Sequence, residues 1–195
     1  MPKKIAIIGP GVVGYATGKV LSENGFEIGF IGRSQSKIDK LRKEGFSAYT
    51  FSTFPDHEYD YDVTFLTVAT PTVDGKIDLE PIRATSKFLG GLLAVKKEYH
   101  VVVVKSTVLP GTTENMVIKE IEAVSGKKAG VDFGVCMNPE YLREETAVED
   151  SRKPWVTLIG ELDERSGAVV ESIYKKFAKP IFHCSLMEAE MQKYI

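Results

Sequence analysis

Short apolar runs recur along the chain, separated by amphipathic stretches, and this alternation limits the fold more than any other feature of the 195 residues. The clearest run is Val101 to Val104, four β-branched side chains in a row that suit a pleated surface buried on both faces. Lys4 to Gly9, Phe26 to Gly32, Val63 to Ala69, Phe133 to Met137, Val156 to Gly160 and Ile181 to Cys184 read as further strands. Helical patterns fill the gaps: one through about Asn24, then Ser36 to Glu44 with Gly45 as terminator, Leu79 to Val95, Thr113 to Val124, and Glu164 to Ala178. Asp74-Gly75 marks a turn, and Gly90-Gly91 weakens the end of the third helix. Strands with no exposed face, alternating with helices, predict an α/β fold with a mainly parallel sheet and helices on both faces.

Ser185 is a candidate N-cap for a last helix, Ser185 to Ile195, and Glu188 completes a capping box. That helix is still amphipathic at the final residue, without a C-cap. The expectation is one domain over residues 1–184, with 185–195 beginning a helix that leads to an absent second domain.

Composition excludes several partner classes. With 43% hydrophobic and 27% charged residues and a net charge of -2, nothing points to nucleic acid or to an anionic membrane surface. No apolar stretch approaches the ~20 residues a membrane helix needs. Cys136 and Cys184 form no metal knuckle or disulfide framework, and His57, His100 and His183 are scattered, so no metal is expected and the cytoplasm is the default compartment.

Gly9-Pro10-Gly11-Val12-Val13-Gly14 fits G-x-G-x-x-G and lies between strand Ile5–Ile8 and the first helix. The spacing suits a tight turn at Gly9, close approach of backbone to a pyrophosphate at Gly11, and helix-on-strand packing at Gly14. The helix start at Val12 and Val13 presents free N–H groups to the phosphates. As the first βα turn of an α/β domain, it predicts a Rossmann-type, doubly wound dinucleotide-binding fold. At the end of the second strand, where an NAD site carries Asp or Glu about 20 residues past the loop, this chain has Gly32, then Arg33, Ser34 and, beyond, Lys37. Loss of the carboxylate removes its repulsion of a 2′-phosphate, which Arg33 and Ser34 can bind, so NADP or relaxed choice is favoured over strict NAD. Arg33 as a solvated residue stacking on adenine is the alternative.

Further motifs follow. Thr70 and Thr72, either side of Pro71, lie with Val68 where the third strand ends, at the carboxyl edge where such sheets bind ligands. Ser106 and Thr107 stand at the same edge after the valines, offering hydroxyls to a cofactor or water, or only capping turns as Thr112 would for the next helix. In Asn138-Pro139-Glu140-Tyr141-Leu142-Arg143-Glu144, two acids four apart share one face if the segment is helical, although such pairs are commonly solvated. Lys193 ends Glu188-Ala189-Glu190-Met191-Gln192-Lys193 and reads equally as a surface lysine.

In order and spacing, Val68–Thr72, Lys105–Thr113, Asn138–Glu144 and Glu188–Tyr194 resemble the N-terminal domain of the UDP-glucose/GDP-mannose 6-dehydrogenase family, from residue 3 to the end. The resemblance implies NAD as default cofactor, a nucleotide-sugar substrate, a homodimeric full-length protein, and oxidation of a C6 alcohol to a uronate using two dinucleotides in turn. It makes Glu140 an acid/base group, places Glu144 near cofactor and substrate, has Thr107 position water with Glu140, and gives Lys193 charge stabilisation on the substrate oxygen. The family's nucleophilic cysteine belongs to a C-terminal domain that this chain lacks, and Cys136 reads as core. The segment Phe46 to Asp62 is shorter than the family's counterpart. A single-step hydroxyacid dehydrogenase of 6-phosphogluconate type, or a non-catalytic dinucleotide-binding module, shares the layout.

Overall fold

The computed structural model describes residues 2–55, 59–178 and 180–194. His57 lies outside the described residues. One eight-stranded sheet carries the chain: β1 (Lys4–Ile8), β2 (Glu27–Gly32), β3 (Ser47–Thr50), β4 (Val63–Leu66), β7 (His100–Val104), β8 (Phe133–Met137), β9 (Thr157–Glu161) and β10 (Ile181–Ser185). A small antiparallel hairpin, β5 (Thr72–Val73) and β6 (Lys76–Ile77), turns at Asp74-Gly75 as its sequence predicts. The order is β10-β9-β8-β7-β4-β1-β2-β3, parallel from β3 through β8. β9 runs antiparallel to β8, and β10 is parallel to β9. The doubly wound α/β expectation therefore holds.

Helices α1 (Val12–Glu23), α2 (Gln35–Lys43) and α6 (Glu164–Tyr174) cover one face, with the short α5 (Ala147–Arg152) packed on α1, and α3 (Glu80–Val95) and α4 (Lys119–Ser125) cover the other. The period of two in a strand divides each apolar run between two cores. Ile5, Ile7, Val101 and Val103 pack with Leu21, Ile38 and Val170, whereas Ala6, Ile8, Val102 and Val104 pack with Leu89, Val117 and Ile121. A polar side chain on either face would be buried without a partner, so the valine run has no polar interruption.

Differences from expectation have local causes. β3 carries no apolar run and lies at the sheet edge, with Ser47 exposed, Tyr49 half-buried, and Ala48 and Thr50 buried. The third strand predicted to Ala69 ends at Leu66, because Thr67 turns its hydroxyl onto the carbonyls of Ile8 and Gly9 at 3.1 and 2.8 Å. The predicted helix from Thr113 opens as a π-helical turn, Thr113–Ile118, before α4. α3 runs through Gly90 because α4 packs there: a Cβ on Gly90 would stand 2.9 Å from that of Val124. The last helix, α7 (Leu186–Met191), is shorter than predicted, although the Ser185–Glu188 capping box is present.

At the amino edge of the sheet, His100 is buried, its Nδ1–H donating to the Tyr61 carbonyl (2.9 Å) and its Nε2 2.9 Å from the Thr64 hydroxyl, which also meets Tyr59. Burial pushes its pKa from 6.5 down to about 3. A folded-state value below the unfolded one means the stabilisation is complete above pH 6.5 and is lost as pH falls towards 3. Replacing His100 with Gln, which takes up no proton, should therefore flatten the acid side of the stability profile. Urea unfolding of both proteins from pH 7 to 4 should show their difference changing by about 1.4 kcal/mol per pH unit below 6.5; parallel curves would reject this role for the histidine.

Candidate active site

At the centre of the sheet, β1 pairs with β2 on one side and β4 on the other, and their crossovers α1 and α3 leave to opposite faces. The carboxyl ends diverge there, which opens a crevice. Gly9 adopts φ +105° with its N–H on the Ile31 carbonyl (2.9 Å), and the Thr67-Val68 backbone fills the space a side chain would need. Gly14 is buried behind the loop: a Cβ there would strike the Gly9 carbonyl oxygen, so only glycine lets α1 dock this closely. Gly11 precedes α1 without a side-chain cap, and the first turn has no acidic residue, so its N–H groups face the cleft.

The cleft holds about 760 Å³. Gly9, Gly11, Val12 and Val13 form its floor, and Arg33, Ser34 and Lys37 its far end. Val68, Thr70, Ser106, Thr107 and Glu140 line the other end. Most of the sequence-predicted site residues thus come together. Pro71 and Thr72 are exposed outside this lining, Thr72 within the hairpin, and Glu144 is also exposed outside it. The hydroxyls carry a structural duty as well: Thr70 donates to the Thr107 carbonyl (2.6 Å) and Ser106 to that of Val68 (2.6 Å), tying the ends of β4 and β7 together. Ser34 accepts from the Lys37 N–H at 3.5 Å and caps α2.

Glu140 does not sit on a helix. Pro139 and its neighbours leave β8 as irregular chain, and a 3-10 turn begins only at Glu144–Thr146, so the two acids do not share a helical face. Glu140 instead meets Lys193: the ammonium Nζ lies 2.8 Å from Oε1 and 2.8 Å from the Glu140 carbonyl oxygen. The second carboxylate oxygen accepts the Leu142 N–H at 2.7 Å. Both side chains are largely covered.

Two residues beyond the sequence-predicted set hold this pair in place. Glu190 on α7, 1% exposed, accepts the backbone N–H groups of Gly111 and Thr113, the latter at 2.7 Å. It does the capping expected of Thr112, whose side chain makes no cap bond. A buried carboxylate on two free amides pins α7, and with it Lys193, against the sheet edge. Lys105, 7% exposed, donates to Asn138 Oδ1 (2.8 Å), which also accepts from Tyr174 (2.6 Å). Burial pushes the Lys105 ammonium down to about 8, against the pull of Glu140 and with Lys193 adding to the effect. It stands between the cleft and a smaller cavity of about 310 Å³ behind the 138–143 segment. A lysine directly after four buried valines was the signal for it; for Glu190 the sequence carries none, because its partners lie 77 and 79 residues away.

Burial pushes the Cys136 thiol up to about 12 and that of Cys184 up to about 11, so neither is a thiolate near neutrality. Among the described residues no cluster of His, Cys, Asp and Glu could hold a metal.

Residues 47–178 match the model of the UDP-glucose/GDP-mannose dehydrogenase family, NAD binding domain. The chain belongs to this family. It is similar to GDP-mannose 6-dehydrogenase of Pseudomonas aeruginosa, 41% identical with 98% of this chain and 48% of that protein aligned. The crystal structure of a ternary complex of GDP-mannose dehydrogenase from that organism superposes with a TM-score of 0.90 over 97% of this chain and 48% of the other. A UDP-glucose dehydrogenase from Pyrobaculum islandicum gives 0.89 at 31% identity, over 100% of this chain and 49% of that one. The chain spans about half the length of these relatives. The family's domain is an NAD binding domain, and the glycine loop and cleft suit a dinucleotide.

Removing the α7 anchor tests the arrangement. Glu190→Ala leaves two buried amide donors without an acceptor and should lower stability by about 2–4 kcal/mol, read by urea unfolding. A loss below ~0.5 kcal/mol, the size of an ordinary surface change, would mean that other contacts hold the helix.

Proposed function

We propose that this chain is the cofactor-binding part of an NAD-dependent nucleotide-sugar 6-dehydrogenase, which oxidises the C6 alcohol of a UDP- or GDP-linked sugar to a carboxylate in two steps. The observation that carries the reading is the Lys193–Glu140 ion pair at 2.8 Å, set at the end of the glycine-loop cleft beside Thr107. Family membership supplies the substrate class, and the relatives named for GDP-mannose and UDP-glucose support it.

The cleft fits a dinucleotide. A loop that excludes side chains at Gly9 and Gly14 adjoins uncapped amides of α1, which suits a pyrophosphate. A Cβ on Gly11 would meet nothing in the protein, so packing gives no reason for glycine there; approach of a ligand does. Bound nicotinamide supplies hydride acceptance. The chain's own residues do the rest. Lys193, held beside Glu140, would lower the energy of negative charge developing on the alcohol oxygen. Glu140, steadied by Lys193 and the Leu142 amide, takes up the proton directly or through water held with Thr107. Glu144, exposed on the same loop, contacts cofactor and substrate only when further chain or ligand covers it.

The covalent thiol step belongs to the part of the protein outside this half, since Cys136 and Cys184 are unsuited to it. On this reading, residues 1–184 are the dinucleotide domain and 185–195 lead to the remainder. Phe182, Met187 and Met191, exposed on β10 and α7, are the apolar side chains a homodimer or the second half would cover. Two free cysteines support a cytoplasmic setting.

The test is turnover by the full-length protein against a panel of nucleotide sugars. About two reduced dinucleotides should form per sugar oxidised. Lys193→Ala should lower kcat on the order of 100-fold, the usual loss for an oxyanion-stabilising group, while dinucleotide binding stays intact. No turnover of any nucleotide sugar, with cofactor binding present, would overturn the reading.

A further inference from the structure

The adenosine end of the cleft departs from the NAD pattern, and the cause is steric. An NAD site ends its second strand with Asp or Glu, which takes the ribose hydroxyls and repels a 2′-phosphate. Here β2 ends in Gly32, which is buried and paired with Thr50. A Cβ on Gly32 would lie 2.6 Å from Pro10 Cδ and 2.8 Å from Cγ. The proline ring is rigid and stands between Gly9, at φ +105°, and the start of α1, so it cannot give way as a flexible side chain would. Pro10 thus excludes any acidic side chain from position 32.

What remains at that end is cationic. Arg33 and Lys37 line the cleft and are exposed, and Ser34 lies between them at the N-terminus of α2, whose first turn has no acidic residue. The carboxylate lining the cleft is Glu140, which is engaged by Lys193 at the opposite end. A ligand phosphate beside Gly32 would meet a guanidinium and an ammonium, with no carboxylate among the described lining residues nearby.

We infer that Pro10 sets the cofactor choice of this chain by keeping position 32 bare, so that Arg33 and Lys37 receive a 2′-phosphate and NADPH binds at least as tightly as NADH. This rests on the dinucleotide reading of the cleft and concerns only its adenosine end.

The experiment is a fluorescence titration of this chain with NADH and NADPH, with 2′,5′-ADP and 5′-ADP as competitors. NADPH should match or exceed NADH, and 2′,5′-ADP should displace bound nucleotide better than 5′-ADP. Arg33→Ala should weaken NADPH by about tenfold or more, as when a charge-assisted contact is lost, and weaken NADH by clearly less. The double variant P10A/G32D should reverse the order in favour of NADH, whereas Gly32→Asp alone should weaken both nucleotides. NADH bound more tightly than NADPH would overturn the inference while leaving the dinucleotide reading intact. Equal weakening of both nucleotides by Arg33→Ala would overturn it too, assigning the arginine to stacking on adenine. Failure of both nucleotides to bind would bring down this inference and the dinucleotide reading together.

Discussion

A sheet covered on both faces leaves only its ends open to ligands. Strands β1, β2, β4, β7 and β8 divide their side chains between two cores, and almost no polar group is tolerated along the way. Apart from Lys193, which follows α7, the site is therefore built from residues that follow the strands at the carboxyl edge: Gly9 after β1, Arg33 after β2, Val68 and Thr70 after β4, Lys105 to Thr107 after β7, and Glu140 after β8. The divergence of crossovers at β1 and β4 decides where along that edge the groove opens. Everything at the site depends on this burial, since a strand shifted by one residue would turn every side chain to the other core.

What could be read without coordinates follows from how local its cause is. The valine strand, the glycine loop and the Ser185–Glu188 capping box are each specified within a few residues, and each stands where expected. β3 escaped because an edge strand needs neither an apolar run nor alternation. The chain at Glu140 suggested a helix by spacing alone, but it leaves β8 through Asn138, whose side chain is held by Lys105, Tyr174 and the Leu158 carbonyl. Those partners are distant in sequence, and no periodicity encodes them. Gly90 shows the reverse case, where a supposed helix breaker is kept because a second helix needs the space.

Hydroxyls give a further reason why roles are harder to read than folds. Thr70 and Ser106 were candidates to touch the cofactor, and both line the cleft. Both also donate their protons to backbone carbonyls of the neighbouring strand end. A hydroxyl so engaged still has lone pairs to offer, but its orientation is set by the protein before any ligand arrives. Preorganisation of this kind removes the ordering cost from binding. The same residue type at the same place thus serves scaffold and ligand, and sequence alone does not separate the two.

The electrostatic layout of the chemical end follows from burial again. Lys105 is surrounded by neutral acceptors, Asn138 Oδ1 and carbonyl oxygen, while the one carboxylate nearby is taken by Lys193. Two ammonium groups and one carboxylate leave a surplus of positive charge where the cleft meets β7 and β8. Burial brings Lys105 down to about 8, so near neutrality it is still largely protonated and the surplus persists. A positive surplus held by fixed dipoles favours an oxygen that gains negative charge over one that stays neutral, which suits the proposed alcohol oxidation. By anchoring Asn138, Lys105 also fixes the loop that presents Glu140.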